Sequence, residues 1–188
     1  MVIDHHMQYE ILPESDFWKF FGIHEISEET GVLGRINKNL KPGGFQESVD
    51  LQMTLEKDLS VHQVNLTIER NWMGNLVHVN PFATDIMKSF IRQFGKLPQN
   101  PELEAIADHI EHFHGYSDNV IYVSGKEPHL DPLPEDLQGA IATIFGAHDW
   151  VFEGSDLVMK IENQRRNDQD WIHFSIEYTG NSEDNGIF

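Results

Sequence analysis

Ser48-Val49-Asp50-Leu51-Gln52-Met53-Thr54-Leu55-Glu56-Lys57-Asp58-Leu59-Ser60-Val61-His62-Gln63-Val64-Asn65-Leu66-Thr67-Ile68-Glu69 decides the fold. Val49, Leu51, Met53 and Leu55 alternate with polar residues, the two-residue period of a half-buried strand. His62, Val64, Leu66 and Ile68 repeat that pattern against Gln63, Asn65, Thr67 and Glu69. Lys57 to Ser60 is short enough to join the two strands as a hairpin. One apolar and one polar face per strand imply an antiparallel sheet.

Before this hairpin, Tyr9 to Leu12 and Val32 to Ile36 are weaker strand expectations. Between them Ser15 is placed to cap a short helix running through Phe21 and stopped by Gly22. After the hairpin the pattern becomes helical. Asn80-Pro81 supplies a cap and a first-turn proline, and Gly95 closes the far end. Phe82, Ile86, Met87, Phe90, Ile91 and Phe94 form the inward stripe of this helix, with Lys88, Arg92 and Lys96 opposite. Asn100-Pro101 opens a second helix, with Leu103, Ile106, Ile110 and Phe113 inward and Gly115 as its end. The link from Lys96 to Gln99 is short, so the two helices are expected to be antiparallel neighbours.

Val120 to Val123 reads as a strand, and the proline-rich stretch from Lys126 to Pro134 as a loop. A third helix follows, with Glu135 and Asp136 in its first turn, Leu137, Ala140, Ile141, Ile144 and Phe145 inward, and Gly146 as the stop. Leu157, Met159 and Ile161 pair with Ile172, Phe174, Ile176 and Tyr178 as a last hairpin, with Asn163 to Asp170 as its loop. Hairpins at both ends with helices between them give an α+β fold: an antiparallel sheet built from N-terminal and C-terminal hairpins, with three main helices on one face. The expected organisation is a single domain over residues 1–179 with a frayed acidic tail at 180–188.

The hydrophobic fraction of 39% suits a globular chain rather than a disordered one. There are no cysteines, which excludes disulfides, thiolate nucleophiles and cysteine-ligated zinc. The N-terminus has no apolar run, and no stretch is long enough for a membrane span, so a cytoplasmic protein is expected. Asn65-Leu66-Thr67 matches a glycosylation sequon but sits inside a strand pattern.

The net charge of −18 repels nucleic-acid phosphate and anionic membrane. It is concentrated: residues 97–159 hold twelve carboxylates against one cation, Lys126. Such a surface attracts a basic partner, with Glu102, Glu104, Asp108, Glu111, Glu135 and Asp136 as its candidate contacts. A non-catalytic binding or adaptor protein is the first functional expectation, and no cofactor is expected with it.

A second class rests on Asp108-His109-Ile110-Glu111-His112-Phe113-His114. On a helix, Asp108 and His112 lie four apart and His109 and His112 three apart, on adjacent turns. Asp108, His109 and His112 are therefore candidate ligands for a divalent transition metal, completed by His78, His129 or His148. A metal-dependent hydrolase would use the bound water, with Asp108 or Glu111 as base. The order matches no known helical zinc motif. The same histidines have a plainer use as cations at a helix C-terminus. A third class is a small-ligand binder whose pocket is lined by Trp18, Trp72, Trp150 or Trp171. His148-Asp149 and Ser124-Gly125-Lys126 echo a dyad and a phosphate loop, without the surrounding motif that either needs.

Overall fold

A computed structural model of the chain describes residues 7–75, 78–111, 134–146 and 148–179. The strands are β1 (His24–Thr30), β2 (Ile36–Lys41), β3 (Val49–Leu55), β4 (Val61–Glu69), β5 (Trp150–Glu153), β6 (Leu157–Arg166) and β7 (Gln169–Tyr178). They form one antiparallel sheet in the order β1-β2-β3-β4-β7-β6-β5, and the fold is α+β. Two short helices, α1 (Asp16–Phe21) and α2 (Arg70–Met73), accompany three longer ones, α3 (Pro81–Phe94), α4 (Pro101–Glu111) and α5 (Glu135–Phe145). No helix among the described residues is long and apolar enough to cross a membrane. The expected strand at Val120 to Val123, the Gly115 helix end and the tail at 180–188 lie outside the described residues.

By its internal contacts the chain divides into two compact units. The first comprises Met1–Thr67, Phe152–Lys160 and Phe174–Phe188; the second comprises Ile68–Val151 and Ile161–His173.

In the first unit β3 alternates as its sequence dictates, with Val49, Leu51, Met53 and Leu55 buried. The hairpin to β4 closes through Glu56 N–H to the Ser60 carbonyl at 2.9 Å, and Asp58 accepts from Ser60 N–H at 3.0 Å. Ser15 Oγ caps α1 by accepting from Trp18 N–H at 3.3 Å, and Gly22 ends it at φ 60°. Two strand expectations fail here. Tyr9 to Leu12 lies in a 3-10 turn spanning Tyr9–Glu14, where Pro13 fixes its own φ and withholds a ladder donor. Val32 to Gly34 is the tip of a hairpin, and the strand starts only at Ile36. Its partner β1 is wholly exposed and carries no apolar alternation. On one side of β1, β2 and β3 the side chains form polar rungs. Asn39 donates to Ser27 Oγ at 2.8 Å, Gln52 to Asn39 at 3.1 Å and Thr54 to Asn37 at 3.0 Å.

The second unit holds α2 to α5. Asn80 accepts from Phe82 N–H at 3.0 Å to cap α3, and Gly95 follows its last turn. Ile86, Met87, Phe90, Ile91 and Phe94 are buried as expected. Phe82 is not: it is 61% exposed, because its Cβ leans toward the helix N-terminus, past the first packed turn. In α4 Leu103, Ile106 and Ile110 are buried; in α5 Leu137, Ala140 and Ile144 are buried, while Ile141 and Phe145 are only half-buried.

The last hairpin has the expected inward residues on both arms, all buried. Its loop is far tighter than expected. β6 and β7 run on to a two-residue turn at Asn167 and Asp168, with φ of 48° and 65°. Positive φ at both central residues matches the right-handed twist of the strands, and Asn and Asp tolerate it best after glycine.

Candidate functional site

The acidic side begins on α4. Glu104, Asp108 and Glu111 follow at four and three residues and so share one face of the helix. That face meets α3 rather than open solvent. Arg92 Nε lies 3.5 Å from Glu104, and its Nη2 lies 2.6 Å from Asp108 and 2.8 Å from Glu111. Lys88 Nζ lies 3.2 Å from Glu111 and 3.4 Å from Asp85. The earlier cation on α3 meets the later carboxylate on α4, which confirms the antiparallel pairing. Hydrogen bonds from Arg92 and then Lys88 hold the Glu111 carboxyl down at about 2, against a smaller opposing push from burial. Arg92 is raised in turn, by its bond to Glu111 first.

Three of the six candidate contact carboxylates are therefore ion-paired within the fold, sharing two cations. The other three, Glu102, Glu135 and Asp136, are exposed and have no lysine or arginine partner among the described residues. Each stands in the first turn of its helix, where the positive end of the dipole favours a carboxylate. α4 and α5 are in contact.

Of the candidate metal ligands, Asp108 faces Arg92 and His109 is half-buried on α4. His112 lies outside the described residues, as do His114 and His129. Among the described residues no group of three or more metal-binding side chains assembles. His148 and Asp149 serve the backbone instead. Asp149 accepts from Asn163 N–H at 2.9 Å, and the His148 carbonyl accepts from the Asn163 amide at 2.9 Å. The four tryptophans are all half-buried, with Trp18 edge-on to Tyr9 at 5.9 Å and Trp150 Nε1 donating to the Asp136 carbonyl at 3.3 Å. Ser124-Gly125-Lys126 lies outside the described residues.

Arg70 has a structural role that its sequence context does not announce. From the start of α2 its guanidinium donates to the carbonyls of Ile144 at 2.7 Å, Thr143 at 3.0 Å and Gly146 at 3.0 Å, and also to Asn163 Oδ1. These carbonyls lie in the last turn of α5 and just past it, where a cation also complements the dipole. Burial lowers its pKa, but a guanidinium stays charged in proteins.

A second acidic cluster stands on β1. Lys38 Nζ lies 3.1 Å from Glu25 and 2.8 Å from Glu28, and 5.1 Å above the Tyr9 ring. The Tyr9 hydroxyl donates to Glu25 at 3.1 Å. Burial, then that bond, pushes the phenol up to about 12. Burial pulls Lys38 down, but the hydrogen bonds it donates to Glu28 and Glu25 more than offset it and leave its pKa raised.

The chain matches no protein-family model, no curated protein and no solved structure.

Proposed function

We propose that the protein is a non-catalytic binding protein whose acidic 97–159 side meets a basic protein surface. The observation that supports it is the division of labour among the carboxylates. Glu104, Asp108 and Glu111 fasten α4 to α3, whereas Glu102, Glu135 and Asp136 stand exposed without a cation among the described residues. Unmatched carboxylates on rigid helix starts keep their attraction for an incoming lysine or arginine, and they steer its approach. The internal ion pairs fix the helix that presents Glu102.

The test is salt-dependent capture of a basic partner, isolated from native lysate and then measured as a purified pair. Affinity drops steeply between about 50 and 500 mM salt, as the Debye length shrinks from about 14 to about 4 Å. Reversing Glu135 and Asp136 to lysine weakens binding about tenfold, while the same reversal at the exposed Glu47 has little effect. A partner indifferent to both salt and the reversal at Glu135 and Asp136 refutes the reading.

A further inference from the structure

We propose that β1 is an acceptor edge for an extended, basic segment of a partner protein, added to the sheet beside β1. The inference is independent of the α4 and α5 surface. Among the described residues β1 ends the strand order, and all seven of its residues are exposed.

The phase of the β1–β2 pairing shows which backbone groups are free to accept. Gly31 N–H donates to the Arg35 carbonyl at 2.7 Å, and antiparallel pairs alternate between bonded and unbonded. Glu29 opposite Asn37 is then a bonded pair, while Glu28 opposite Lys38 and Thr30 opposite Ile36 are not. The N–H and C=O groups of Glu28 and Thr30 therefore point away from β2, toward the side where the sheet ends. A segment paired there gains main-chain hydrogen bonds, the usual source of affinity in strand addition.

Charge selects the occupant. Lys38 is a single cation shared by Glu25 and Glu28, and Glu29 has no cation among the described residues. A second copy of β1 would set glutamate against glutamate, which opposes self-pairing. A strand carrying lysine or arginine at alternate positions reverses that sign. Carboxylates and the irregularity between Glu25 and Ser27 are also devices that blunt an edge. They do not account for the hairpin tip. Val32 and Leu33 are 81% and 78% exposed, and Leu33 is held at φ 62°, a conformation costly for a branched side chain. Strain that presents an aliphatic pair to solvent fits an apolar anchor at one end of the incoming strand.

The probe is a short peptide alternating lysine and valine, with the glutamate–valine peptide as control. Binding is expected for the first alone, with added hydrogen-exchange protection at Glu28 and Thr30. Thr30→Pro removes an outward-facing donor that the β1–β2 ladder does not use, so the variant folds and loses at least about tenfold in affinity. Glu29→Lys weakens binding severalfold, and Leu33→Gly relieves the strain yet also weakens binding. Lysine reversals at Glu135 and Asp136 leave it unchanged, which separates this site from the α4 and α5 surface. Failure of the lysine peptide to bind, equal binding of the glutamate peptide, or undiminished affinity in a folded Thr30→Pro variant overturns the proposal.

Discussion

Replacing Arg92 with alanine removes the cation around which Glu104, Asp108 and Glu111 gather, and its cost can be worked from two directions. Three partly exposed ion pairs at about 0.5 kcal/mol each give roughly 1.5 kcal/mol. The fall of the Glu111 carboxyl from 4.5 to about 2 gives a gross value of about 3 kcal/mol for Arg92 and Lys88 together. That side chain is 37% exposed, so solvent screening takes away about half or more; this route includes Lys88 and leaves out Glu104 and Asp108, and it gives the same order of magnitude. For a chain of this size the loss lowers Tm by about 3–6 °C.

The pH dependence is the sharper readout. A carboxyl with a depressed folded pKa contributes stability that is fully present above its unfolded value, here 4.5, and is lost as pH falls through the folded value of about 2. Urea unfolding of wild type and Arg92→Ala should therefore differ by about 1.5 kcal/mol at pH 7, and the gap should narrow steadily below pH 4.5. A double-mutant cycle with Glu111→Gln should return a coupling of about 0.5 kcal/mol at pH 7. A gap that stays constant down to about pH 3 would mean that Arg92 acts through the packing of its aliphatic stem, and the electrostatic account would fall.

Arg70→Ala should cost about 2–4 kcal/mol in chemical denaturation, because it takes the guanidinium donor from the Ile144 and Gly146 carbonyls at once, and Thr143 keeps only its longer bonds from Gly146 and Asn163. Arg70→Lys should recover little, since an ammonium lacks the planar fork. Gly74→Ala should cost at least about 2 kcal/mol: the residue sits at φ 91°, and a Cβ there would come within 2.1 Å of the His78 carbonyl oxygen. Burial lowers the pKa of His173, so the unfolded chain binds the proton more readily and stability falls as pH drops below about 6.5. His173→Gln should flatten that decline in a pH series of unfolding curves; an unchanged slope would assign it elsewhere.

The legible parts of the fold were those governed by neighbours in sequence. The alternation of β3 and the caps at Ser15, Asn80 and Gly95 all depend on residues within a turn of one another. β1 escaped because an edge strand exposed along its length needs no apolar period, and Lys38 fills an inward position of β2 with a charge satisfied from β1. The acidic surface was legible as a count but not as a surface. The count began at residue 97, just past Arg92 and Lys88, whose reach across to α4 engages half of the candidate contacts in ion pairs. Arg70 left no sequence signal, since its partners are backbone carbonyls, which every residue supplies.

The span of the Arg70 contacts carries a kinetic consequence. Its acceptors lie 73 to 93 residues further along the chain, on α5, the segment after it and β6. Closing loops of that length is slow compared with forming a turn or a helix, so this guanidinium is expected to find its acceptors after both α5 and the β6–β7 hairpin have formed. An interaction made that late is absent from the folding transition state. Its loss then leaves the rate of folding nearly unchanged and appears almost entirely as faster unfolding, which makes Arg70 a determinant of how long the native state survives.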